Sequence, residues 1–177
     1  NDNPGDFELF YGELNDFLAA IEFARALPWV DPERVYIAGH HTGGTIALLA
    51  AGTGIECHAI FSFSGAPTMA TVMSDVEGYG NTTYNPRSYN DNKMRSSVRY
   101  TKFINTPTFY IEGGKDSFYW NDAKLMQNLA DRFDIPFHSF NIPVANTFNI
   151  LAPFTGLIAK KIAADQPITL TQRELET

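Results

Sequence analysis

Residues 39–44 read Gly39-His40-His41-Thr42-Gly43-Gly44. They lie between the apolar run Val35-Tyr36-Ile37-Ala38 and the small-residue stretch 45–51. The run suits a short buried strand, and the stretch suits a helix stopped by Gly52. A glycine-flanked turn between strand and helix can hold one side chain in a strained, projecting position. It also sets the next backbone N–H at the helix N-terminus, where it can bind a developing oxyanion. This arrangement suits nucleophilic attack on a carbonyl. The projecting residue is His41, and the N–H is that of Thr42.

Other chemistries find less support. His40 and His41 are adjacent, so their rings diverge on a strand-to-turn path. No His-x-x-x-His pair supplies further ligands, and no metal site is expected. Cys57 is the only cysteine, which excludes an internal disulfide and any cysteine-based zinc or iron–sulfur centre. Gly43-Gly44-Thr45 could meet an anion at a helix N-terminus but lacks the Gly-Lys-Ser/Thr ending of a phosphate loop. No cofactor is implied. His58 reads as a strand-boundary residue and His138 as a partly buried strand residue.

The elements that must position His41 follow from periodicity. Leu14, Phe17, Leu18, Ile21 and Ala24 recur at helical spacing, predicting a helix over 13–27 that ends at Pro28. Asp31-Pro32 predicts a capped turn. Strands are predicted over 35–38, 58–63, 108–112 and 137–142. Helices are predicted over 45–51, over 121–133 with Leu125, Met126, Leu129 and Phe133 on one face, and over 154–163 with Leu157, Ile158 and Ile162 inward. Alternating strands and helices predict a parallel sheet. Residues 71–102 break the rhythm and read as an irregular or lid-like excursion, with 95–101 helical in pattern. Its basic residues, Arg87, Lys93, Arg95, Arg99 and Lys102, read as a solvated face; orienting a carboxylate near a pocket is the other reading. Tyr119 and Trp120 read as packing or pocket lining. The tail, 165–177, is polar and is expected to pack loosely.

With 177 residues, length alone suggests one domain. A hydrophobic share of 44% can supply a sizeable core. Thirteen Lys plus Arg against 20 Asp plus Glu leave a net charge of −7, which argues against nucleic acid or an anionic membrane as partner. No apolar run approaches the ~18 residues of a membrane span. The N-terminus is polar, shows no secretory signal pattern and lacks an initiator Met. It leads to an expected cytoplasmic location and to the expectation of further N-terminal sequence in the natural product.

The string 31–44, Asp-Pro-Glu-Arg-Val-Tyr-Ile-Ala-Gly-His-His-Thr-Gly-Gly, with the helical segment 12–20 before it, resembles bacterial α/β-hydrolases of the prolyl-oligopeptidase and dienelactone-hydrolase type. In those proteins the turn usually reads Gly-His-Ser-x-Gly-Gly. Residues 107–116 are similar to the family's next-to-last core strand and acid loop, and residues 142–148 to the loop that normally ends Asn-His-Phe or Asp-His-Phe. The resemblance implies an α/β-hydrolase fold, three layers α/β/α around a mainly parallel sheet. It also implies a nucleophile elbow formed by Gly39, His40, Gly43 and Gly44. His41 then stands in the nucleophile slot, Asp116 at the acid, Thr147 at the base, and Thr42 at one oxyanion donor. A His41–Asp116 hydrogen bond comes within reach.

Two of the three catalytic positions depart from the family pattern. Histidine at 41 offers no acyl-accepting hydroxyl, and threonine at 147 takes no proton near neutral pH, so the Ser–His–Asp relay is expected to be impaired or absent. The four strands correspond to the family's strands five to eight. The chain therefore reads as the C-terminal part of a larger domain, lacking the first four strands and the turn that gives the second oxyanion donor. The strand at 35–38 would then carry an open edge. That edge is expected to be covered by its own N-terminal segment, by a protein partner or by self-association. Three readings stand: a non-catalytic scaffold that binds an ester, peptide or other small molecule, a hydrolase rescued by other residues, and an interaction subunit.

Overall fold

The sequence Ala-Ile-Phe-Ser-Phe at 59–63 and Thr-Phe-Tyr-Ile-Glu-Gly at 108–113 is buried at every position, the pattern of parallel strands covered on both faces. In the computed structural model, which describes residues 7–72 and 82–176, these are the two central strands of one sheet. The strands are β1 (Tyr36–His40), β2 (Ala59–Phe63), β3 (Thr108–Gly113) and β4 (Phe137–Ile142), in the order β1-β2-β3-β4, with every neighbouring pair parallel. The helices are α1 (Tyr11–Arg25), α2 (Thr42–Gly52), α3 (Met69–Val72), α4 (Tyr89–Met94), α5 (Trp120–Phe133), α6 (Leu151–Ala163) and α7 (Gln172–Leu175).

Strand alternation sends side chains to two helical layers. Phe61, Phe63, Phe109 and Ile111 pack with Phe154 and Ile158 of α6. Ile37, Ile60, Tyr110 and Phe137 pack with Leu48 and Ala51 of α2, Met126 of α5 and Ile21 of α1. This is the expected three-layer arrangement, with a wholly parallel sheet. Helix α2 lies between the sheet and its neighbours, so it is apolar nearly all round. The turn at Asp31 forms as expected, its side chain accepting the Glu33 N–H at 3.0 Å. Among the described residues nothing pairs with the outer edge of β1, and Ala38 is exposed there. No described helix is long and apolar enough to cross a membrane.

Several expectations are corrected. Strand β1 runs on to His40 and α2 begins at Thr42, because one residue, His41, makes the whole reversal. On α5 the small residues Ala123 and Ala130 flank Met126 against the sheet, while Leu125 and Phe133 are exposed; the apolar stripe is wider than the contact. Helix α6 starts at Leu151, and Phe154 and Ile158 form its buried face, with Leu157 and Ile162 partly buried. The tail is not loose. Ile168, Leu170 and Leu175 enter the core, α7 is held by a capping box between Thr171 and Glu174, and Lys161 pairs with Glu174 at 2.7 Å.

In the excursion, α3, α4 and a 3-10 segment over Ser97–Phe103 are formed; residues 73–81 and the N-terminal residues 1–6 lie outside the described residues. Arg95 leaves the expected solvated face. It is buried, donating from Nη2 to the Glu8 carbonyl at 2.7 Å and from Nε to the Leu9 carbonyl at 2.7 Å, and it lies over the rings of Tyr11 and Tyr84. Leu9 and Phe10, with φ of 52° and 75°, are held in the left-handed region beneath it.

Candidate active site

His41 has φ 50° and ψ −114°, a conformation that costs a non-glycine residue ~1–3 kcal/mol. The surroundings enforce it. Its N–H donates to the Phe63 carbonyl at 2.9 Å, and its carbonyl accepts the Thr45 N–H at 2.9 Å. The reversal forces strand and helix so close that a Cβ on Gly39 would fall on the Gly43 carbonyl. A Cβ on Gly44 would stand 2.9 Å from the Phe63 carbonyl oxygen, whereas one on Gly43 would meet open space. The steric requirement therefore rests on Gly39 and Gly44 rather than on Gly39 and Gly43. Thr42 opens α2, whose first amides lack intrahelical acceptors.

The sheet brings the loop after β4 to this turn. Nε2 of His40 donates to the Thr147 carbonyl at 2.9 Å; since that partner only accepts, Nε2 carries the proton. The Thr147 N–H donates to Oδ1 of Asp116 at 2.8 Å. Close approach depends on Gly113, where a Cβ would run into the backbone of Asn146. The Lys115 N–H also donates to the Ala145 carbonyl at 3.0 Å. Thr147 is buried, and its Oγ1 has no hydrogen-bond partner among the described residues.

His41, Asp116 and Thr147 are thus gathered at the C-terminal end of the sheet. The expected His41–Asp116 hydrogen bond does not form; Asp116 accepts the Thr147 backbone N–H instead. The His41 ring lies 4.8 Å from that of His40 and stacks at 6.0 Å on Phe148. Burial, then the neighbouring His40, pushes its pKa down, and the Asp116 charge opposes them. His41 is therefore a neutral imidazole at pH 7.

His58 and His138 are elsewhere. His58 meets the Glu33 carbonyl, and His138 is exposed on β4, stacked on Phe109 rather than partly buried. Among the described residues no group of three or more His, Cys, Asp or Glu could hold a metal. A groove of about 660 Å³ is lined by α6, α7 and residues 142–149 after β4, and His41 is not among its lining residues. The sequence reading missed the roles of His40, Phe148 and Glu112. Glu112 is a carboxyl buried to 1% exposure just before Asp116, and its one outward signal is a charge ending an apolar strand run.

The sequence profile of the Prolyl oligopeptidase family matches residues 4–144, most of the chain. The chain belongs to the prolyl oligopeptidase family. The family match spans the His41 turn and Asp116 and stops short of Thr147. No curated protein matches the chain. Among solved structures it is similar to an acylaminoacyl peptidase from Pyrococcus horikoshii (TM-score 0.74, 16% identity, covering 94% of this chain and 30% of that one). It is similar to dipeptidyl peptidase 4 from Porphyromonas gingivalis (TM-score 0.72, 21% identity, 90% and 23%). A 2,6-dihydroxy-pseudo-oxynicotine hydrolase is also similar (TM-score 0.72, 14% identity, 96% and 54%). At these low identities the TM-scores show a shared fold alone. The chain spans under a third of the length of either peptidase.

Proposed function

We propose that this prolyl oligopeptidase-family chain no longer performs serine-type acyl transfer and instead binds a ligand of the ester or peptide class at the His41 turn. One observation carries the reading: the strained projecting position is kept, yet it holds an imidazole in place of a hydroxyl, and the neighbouring Thr147 is fastened by its backbone and offers no general base. On this reading the turn is the nucleophile elbow, Asp116 the remaining acid, and Thr42 an oxyanion donor without a partner nucleophile. Losing relay members leaves only the rate that binding and oxyanion contacts supply.

A fluorophosphonate probe tests this. No labelling of the chain is expected; stoichiometric labelling overturns the reading. The pair His41→Ser with Thr147→His, made in the full natural protein, is expected to gain labelling, since Asp116 already faces residue 147.

A second reading is favoured by the free state of the His41 ring, whose nitrogens make no hydrogen bond to a described residue. A neutral imidazole can attack an activated ester directly, releasing the alcohol and passing the acyl group to water. Incubation with p-nitrophenyl acetate then acylates His41 in preference to the other histidines. Equal acylation of all four, or none, removes this reading.

A further inference from the structure

Glu112 lies outside the chemistry described so far. It is the fifth residue of β3, and with Tyr110 two positions earlier it projects toward the α2 and α5 side of the sheet. Its Oε1 accepts the N–H of Tyr119, the residue that caps α5, at 2.9 Å. The carboxyl therefore closes the connection 113–119 across its ends, and Asp116 rides on that connection. Among the described residues neither the buried Oε2 nor the Tyr110 hydroxyl has a partner in full hydrogen-bonding geometry, although the hydroxyl lies close enough to draw the carboxyl's pKa downward.

We propose that Glu112 is a positioning residue: as the neutral acid it holds the connection 113–119, and with it Asp116, against Thr147. The surroundings favour that protonation state. The groups facing the carboxyl are Tyr110 from β3, Asp116 from the turn, and Tyr119 and Asp122 from α5. Both of the charged groups acting on it are carboxylates. Asp122 is itself anchored, accepting from Thr68 Oγ1 at 2.6 Å. Burial, first, and then these charges push Glu112 up to about 7, against the downward pull of the Tyr119 N–H and the Tyr110 hydroxyl. The neutral acid has a proton for the unpartnered Tyr110 oxygen and keeps a carbonyl for the Tyr119 N–H. An ionised Glu112 puts a buried negative charge beside the partly exposed Asp116 and Asp122, and relief comes by admitting water and loosening the connection. The arrangement is independent of whether His41 performs chemistry.

Trp120 follows Tyr119, and the chain's other tryptophan, Trp29, is 78% exposed. In Trp29→Phe, Trp120 emission and hydrogen exchange of the Thr147 amide are followed from pH 5 to 9. A transition centred near 7 is expected, with Thr147 exchange above it at least ~10-fold faster than intrinsic pH dependence accounts for. Glu112→Gln, which keeps the shape and cannot ionise, is expected to abolish the transition and keep the amide protected. Glu112→Ala is expected to lose protection throughout. A transition that survives in Glu112→Gln, or no transition in the parent, overturns the proposal. If Glu112→Ala fails to fold, the glutamine variant alone decides.

Discussion

Asp116 is hydrogen-bonded to the backbone of Thr147, not to the side chain of His41: the Thr147 N–H donates to its Oδ1 at 2.8 Å. A carboxylate that could orient a catalytic base therefore serves as a clasp between the connection after β3 and the loop after β4. Replacing it by alanine strands the Thr147 amide, and hydrogen bonds to charged groups contribute ~1.5–3 kcal/mol. Asp116→Ala is expected to lower unfolding free energy by about 2 kcal/mol, and Asp116→Asn by less. Urea midpoints at constant slope measure both.

Glu112 makes stability pH-dependent with a definite sign. The folded chain keeps its proton up to about 7, while the ordinary carboxyl releases it at 4.5, so the unfolded chain deprotonates first. Stability contributed by this group falls as pH rises from 4.5 through 7 and is level above that. The difference between wild type and Glu112→Gln is expected to change by roughly 3 kcal/mol across the window. A flat difference rejects the assignment.

The glycines at the turn separate by consequence. Gly39→Ala drives a methyl into the Gly43 carbonyl and is expected to cost about 3 kcal/mol or more. Gly43→Ala enters open space in a helix and is expected to stabilise by about 0.5–1 kcal/mol. Thermal melts of the two variants side by side check the contrast.

Arg95 fastens the N-terminal approach to α1. Arg95→Ala leaves the Glu8 and Leu9 carbonyls without their donor and is expected to cost about 2–4 kcal/mol. Lysine, a point charge without the planar fork, is expected to recover only part of the loss in denaturant titrations.

The outer edge of β1 is unpaired among the described residues, and such edges invite pairing. This chain by itself is expected to self-associate with rising concentration in light scattering. Ala38→Lys, at the exposed position of that edge, is expected to restore the monomer. A wild-type monomer at every concentration removes the expectation.

The order of strands and helices was legible in the sequence, because apolar periodicity and glycine or proline stops are local. The family motifs around His41 and Asp116 were legible for the same reason: a strand-to-helix reversal writes its needs into neighbouring residues. Other features depended on residues far apart in the chain. Arg95 looked like one more surface cation until Glu8 and Leu9 came to it from the N-terminus. The polar tail acquired a core through α6 and β4. Gly44, not Gly43, proved to be the tight position because Phe63 crosses it. Glu112 became a buried acid only when α5 closed over β3. In each case burial and partner choice are set through space, and no spacing along the chain encodes them.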